Sequence, residues 1–131
     1  AGLAGTVLTL QLTGESAGAR AVRGLRALEE QWNDPGRLFQ EGGGFEAAWM
    51  TACAYQQAGG AGWLRFYGRC ARALLAARTA EGLWTQTAGR PSVRATSLAV
   101  LTLETPWRYP PASAWPRLAH TVGHLPLLAR R

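Results

Sequence analysis

Lysine and isoleucine are both missing from this 131-residue chain, and aspartate occurs once, as Asp34 in a turn ahead of Pro35. All 14 basic side chains are therefore arginine, and the formal net charge is +6. That balance points to nucleic acid or another anionic surface as a partner. A GC-rich coding bias toward Arg, Ala and Gly would give the same profile, and composition does not separate the two. Long apolar runs are missing too. The longest, Leu98–Leu103, is interrupted by Thr102 and bracketed by Arg94 and Glu104. It falls well short of the ~20 residues that span a bilayer, so no transmembrane segment is expected. Only two cysteines occur, Cys53 and Cys70, without metal-ligand spacing. Each falls among apolar residues of a predicted helix, the setting of buried free thiols rather than of a disulfide. Ala1–Leu12 has no basic stretch ahead of its apolar residues, which argues against an intact signal peptide. Compartment is left open.

What is present reads as helix. The hydrophobic share of 47% over this length is enough for one domain with a real core. Ala4 to Thr13 alternates in a way that would also suit a strand, but its Val-Leu-Thr-Leu segment recurs at Val100–Leu103 in a helical setting, and helix is preferred. Residues 19–32 are amphipathic, with Val22, Leu25, Leu28 and Trp32 at spacings of three and four and most charges elsewhere. Asn33-Asp34-Pro35-Gly36 then stops the helix, and a loop is expected to Gly44. Residues 45–58 carry large and small apolar side chains around most of the circumference, so that helix is expected to be buried on several sides, and Gly59-Gly60 ends it. Over 63–78, Trp63, Phe66, Tyr67, Cys70, Leu74 and Leu75 are expected to face inward, away from Arg65, Arg69 and Arg72. A polar loop precedes a last main helix from Val93 to Glu104, stopped by Pro106. Beyond it, Pro110, Pro111, Pro116 and Pro126 break up regular structure, leaving at most a short helix from Ala112 or Trp115 to about Gly123. The domains are thus a repeat region, 1–111, and a Pro-rich tail, 112–131.

Phe45–Gln56 and Val93–Glu104 lie 48 residues apart, each after a Gly-rich or polar loop and each before a helix stop. Buried and one-sided helices alternate between Val7 and Glu104, the pattern of stacked helical hairpins. Arg23-Gly24 with Gln31 in one copy, and Gly82-Leu83-Trp84 in the other, each match half of a QW-type motif. On those residues the chain resembles the α/α-toroid repeat of squalene–hopene cyclases and prenyltransferase β subunits, and most closely bacterial prenyltransferase and squalene oxidase repeat proteins. Arg94–Leu103 followed by Thr105-Pro-Trp-Arg-Tyr-Pro is similar to the inner helix and exit of the latter. The resemblance, over about residues 4 to 111, implies an all-α fold of stacked hairpins in a partial toroid, with about five main helices. In such a motif the indole clamps the turn between outer and inner helices, and glycine lets the backbone bend there. Trp84 is expected to serve that structural purpose.

The catalytic residues of such cyclases and transferases carry over to no position. One Asp builds neither an acid-rich proton donor nor a magnesium cluster, and the repeat region offers no His for a zinc site. His120 and His124 stand one helical turn apart, as zinc pairs do, but no third ligand is near, and they read as tail side chains. No catalytic residue and no cofactor are assigned. If the two amphipathic helices lie side by side, Arg20, Arg23 and Arg26 could join Arg65, Arg69 and Arg72 in one basic patch able to attract phosphates or anionic lipid. The leading expectation is a non-catalytic helical-repeat module for protein assembly, docking on a partner or on itself. A piece of a terpenoid-cyclase-like enzyme with its acids elsewhere is the alternative, and an Arg-rich face binding an anionic surface or nucleic acid is a third.

Overall fold

Thr51 to Gln56 are six consecutive buried residues, so the helix that carries them is enclosed on all sides. A computed structural model describes residues 2–15, 18–40, 44–87 and 90–108. The helices are α1 Leu3–Leu12, α2 Ala19–Gln31, α3 Pro35–Gln40, α4 Phe45–Ala58, α5 Gly60–Ala76 and α6 Val93–Arg108. Two short strands, β1 Thr85–Thr87 and β2 Arg90–Pro91, pair antiparallel between α5 and α6. The fold is mostly helical, with five main helices. The five regions expected to be helical are so, including the first, where alternation had also allowed a strand. The Pro-rich tail, 112–131, with its possible short helix, lies outside the described residues.

The central helix α4 packs with α1 on one flank and α6 on the other. Gln11 Nε2 donates to the Ala54 carbonyl at 2.9 Å, joining α1 to α4, and the Arg94 guanidinium pairs with the Glu46 carboxylate, joining α6 to α4. Glu46 and Arg94 are each the second residue of their helix and stand 48 residues apart, the spacing of the sequence repeat. The two amphipathic helices lie outside this row. α2 packs on α1, and α5 packs on α4. Tyr55 Oη donates to the Leu25 carbonyl at 2.9 Å, and Tyr67 Oη to the Leu103 carbonyl at 2.8 Å, tying α4 to α2 and α5 to α6. An aromatic cluster fills the junction: Trp32 meets Phe66 edge-on at 5.7 Å, and Phe66 stacks on Tyr55 at 5.0 Å.

Several expectations need correction, each for a local reason. The stretch after Asp34 is not all loop. Pro35 starts α3, where its missing N–H costs nothing, and Phe39, 3% exposed, draws the segment inward against Trp32 and Phe45. Pro106 does not stop α6, which continues to Arg108. An interior proline costs about 3 kcal/mol in a lost bond and a clash, but this one falls in the last turn. There Tyr67 bonds the Leu103 carbonyl, and Arg108 Nε pairs with Glu104 Oε2 at 2.6 Å. The polar loop contains the β1–β2 hairpin, so the chain is not purely α. The hairpin's base is closed by the Ser92 N–H donating to the Trp84 carbonyl at 2.9 Å. Finally, Val22 and Leu75 are exposed, not inward. α2 meets α1 through Ala21, Gly24 and Leu28, and this contact face, built on small residues, is rotated away from Val22. On α5 the buried set is Phe66, Cys70 and Leu74, at spacings of four, and Leu75 is turned about 100° from that line.

Candidate functional site

Of the residues read as a repeat motif, Gly24 and Trp84 are placed at helix contacts and Gly82 in a turn. Gly24 sits where α2 crosses α1, and a Cβ built on it would overlap Val7 Cγ2. Arg23, beside it, is exposed. Gly82 has φ of +82°, a left-handed conformation that suits glycine in the turn after α5. Trp84 is 4% exposed; its Nε1–H donates to the Leu74 carbonyl at 2.8 Å, and its backbone N–H donates to Thr96 Oγ1 at 3.1 Å. Trp84 thus joins the end of α5, through its indole, to the first turn of α6, through its backbone N–H. Gln31 is exposed at the C-terminus of α2 and lines a cavity described below.

The two arginine rows are not brought together as one lining. An open groove on α5 is bordered by Arg65, Arg69 and Arg72 together with Glu29 and Asn33 of the α2 end. Arg65 Nη2 pairs with Glu29 Oε1 at 3.1 Å, so an acid already occupies part of the groove. Arg20, Arg23 and Arg26 are exposed on α2 and do not border it. His120 and His124 lie outside the described residues. Among the described residues no cluster of three or more metal-ligating side chains occurs, and no helix is long and apolar enough to cross a membrane.

Cys53 and Cys70 are free and buried. Desolvation pushes the Cys70 thiol from its ordinary 9.0 up to about 12. It pushes Cys53 up to about 11, against a smaller opposing backbone hydrogen bond. Both are neutral at pH 7, without the thiolate that nucleophilic catalysis needs. A consequence for stability follows from linkage. The unfolded chain loses these protons near pH 9, whereas the folded chain holds them, so folded stability is intact below pH 9 and declines as pH rises toward 12. Tyr55 and Tyr67, also raised by desolvation, act in the same direction. Urea midpoints measured from pH 7.5 to 10.5 are expected to fall, and Cys70→Ala to flatten that fall even though it lowers the midpoint at pH 7.5. An equal slope in the variant would show that Cys70 is not the group responsible.

The cavity, not anticipated from the sequence, encloses about 370 Å³ at the N-terminal ends of α1, α4 and α6. Its wall includes the opening residues of α1 (Gly2–Gly5) and α4 (Gly44–Ala47), and Arg94 and Ala95 of α6. The interior is mostly apolar, with Leu28, Trp32, Met50 and Leu98. Finding it needed the helix directions as well as the helix positions, and no local pattern carries those. No protein family, curated protein or solved structure matches this chain.

Proposed function

We propose that this chain is a non-catalytic helical-repeat module, an open arc of about two and a half α/α hairpins resembling part of a toroid, whose end faces are covered by protein in its working state. The observation that carries this reading is a face of α6 that no other described residue covers. Val93, Val100 and Trp107 are 85%, 39% and 78% exposed. Their seven-residue spacing lines them up over about 21 Å of helix, making one apolar stripe rather than scattered side chains, and such stripes mark interaction surfaces. The opposite end supports the same reading. α1 has no charged residue, and it exposes Leu3 and Leu12. Thr6 and Thr9 on the same helix and Thr13 at its C-cap turn their hydroxyls back onto carbonyls of their own chain, at 3.5, 2.9 and 3.0 Å. Repeat arrays carry polar caps where their ends meet water, and among the described residues neither the α1 nor the α6 face has one. The alternation of the row α1, α4, α6 with the outer α2 and α5 agrees with a hairpin arc.

The simplest occupant to test is a second copy. Size-exclusion chromatography with light scattering is expected to give a concentration-dependent dimer or larger species. The double substitution Val100→Glu, Trp107→Glu is expected to return it to monomer without loss of helical signal. A wild-type monomer at all concentrations, melting in one cooperative step, would overturn self-assembly through these faces.

A further inference from the structure

The outer face of α5 is separate from the α1 and α6 faces of the assembly reading, and its use does not depend on that reading. We infer that this face docks on an anionic phospholipid surface. Arg65, Arg69 and Arg72 meet lipid phosphates there, and Leu64 and Leu75 enter the edge of the acyl layer.

The charge comes from one side of one helix. Arg65, Arg69 and Arg72 recur at spacings of four and three, which places them within about 60° of one another around α5. All three border the same open groove. The Arg72 side chain folds back over Gly68, its Nη1 lying 3.9 Å from the position a Cβ on Gly68 would take. Glu29 is the one acid on that lining, and α5 itself carries none. It pairs with Arg65 at 3.1 Å, but the two side chains are 42% and 58% exposed, and exposed pairs of this kind hold weakly. Positive charge is therefore in excess across the groove, and a phosphate can take Arg65 from Glu29 at low cost.

The leucines decide which anion fits. Leu64 and Leu75 are 70% and 52% exposed. They lie within about 20° of each other around the helix and about 16 Å apart along it, so they form one line beside the arginines. Leu64 also borders the groove. Basic and apolar side chains on one exposed helix face suit a headgroup layer, where guanidinium groups stay at the phosphates and leucines reach the acyl boundary. Nucleic acid offers phosphates but nothing to the leucines. The α5 rings that would stack on bases are engaged elsewhere, since Phe66 is buried and Tyr67 bonds the Leu103 carbonyl. A lipid leaflet offers phosphate and hydrocarbon at once.

Co-sedimentation of the whole chain with vesicles tests the assignment. Binding is expected to vesicles of equimolar phosphatidylcholine and phosphatidylglycerol, to weaken as sodium chloride is raised, and to be absent with phosphatidylcholine alone. Arg69→Gln with Arg72→Gln should weaken it roughly tenfold or more, at roughly fivefold for each arginine brought to a charged leaflet. Arg20→Gln with Arg23→Gln removes the same charge from α2 at positions about 180° and 120° around that helix from Glu29, and should weaken it far less. Glu29→Gln frees Arg65 and should tighten binding. Leu64→Gln with Leu75→Gln leaves the charge unchanged and should weaken vesicle binding several-fold without altering retention on duplex DNA. This pair is a second arm if the α5 arginine pair does not fold. Equal losses from the two arginine pairs would overturn the proposal in favour of net charge alone. Vesicle binding indifferent to the leucine pair, or weaker than binding to duplex DNA, would overturn it in favour of another polyanion. Sedimentation that is absent with the anionic vesicles, or equal with the neutral ones, would overturn it outright.

Discussion

Replacing Trp84 with alanine is expected to cost about 3 to 5 kcal/mol, the range for deleting a buried aromatic side chain, and to separate the α5–α6 turn from the helices it joins. The side chain is 4% exposed and leaves a large void when removed. It also loses the 2.8 Å hydrogen bond from Nε1 to the Leu74 carbonyl at the end of α5. Trp84→Phe separates these two effects. It keeps most of the apolar contact, and the Leu74 carbonyl still accepts from the Ala77 N–H at 3.1 Å, so no buried acceptor is stranded. The phenylalanine variant should therefore lose only about 1 to 2 kcal/mol, a net hydrogen bond and some packing. Urea unfolding checks the order alanine worse than phenylalanine worse than wild type. Equal losses for the two would mean the hydrogen bond, not the packing, holds the turn. Because Thr79, Gly82 and Leu83 already bond among themselves, the turn itself is expected to survive locally while its docking to α6 loosens.

At Gly24 the largest loss comes from adding atoms instead of removing them. On propensity alone Gly24→Ala should stabilise α2 by about 1 kcal/mol. The tertiary contact reverses the sign, because the new Cβ would overlap Val7 Cγ2, and Val7 is 1% exposed with a stiff, β-branched side chain. Overpacking of this kind costs about 1 to 3 kcal/mol. Gly24→Leu is expected at the upper end, near 3 kcal/mol, with α1 pushed off α2. Val7→Ala supplies the control. Alone it is destabilising, but combined with Gly24→Ala it should recover much of the loss, since the two then share one methyl-sized space. Additive losses in that double variant would place the strain somewhere other than the α1–α2 crossing.

Much of the fold was legible because it depends on short-range pattern. The stop at Asn33–Gly36, the burial of Phe45–Ala58 on several sides, the one-sided character of α5 and the 48-residue echo between Glu46 and Arg94 are all properties of neighbouring residues and fixed spacings. The burial of Cys53 and Cys70 was legible for the same reason. The misreadings share a different cause. Pro106 was read as a stop because local chemistry disfavours it, and Tyr67, 36 residues from its partner carbonyl, helps hold the turn that continues past it. Val22 was read as inward because it continues the three-and-four spacing of Leu25, Leu28 and Trp32, although a close helix crossing selects the smaller Ala21 and Gly24. Phe39 joins the core through rings from two other segments, which nothing between Gly36 and Gly44 announces.

The sequence by itself determined which five segments become the main helices and where most of them begin and end. Tertiary structure alone decided that α1, α4 and α6 run parallel and bring their first turns to one cavity. It also decided that Arg94 faces Glu46 there, and that Glu29 sits among the arginines of α5. Helix formation is governed by residues a turn apart, so it is written locally. The meeting of three helix ends depends on how hairpins stack over tens of residues, and that stacking is selected by the sum of many weak contacts that no short stretch contains.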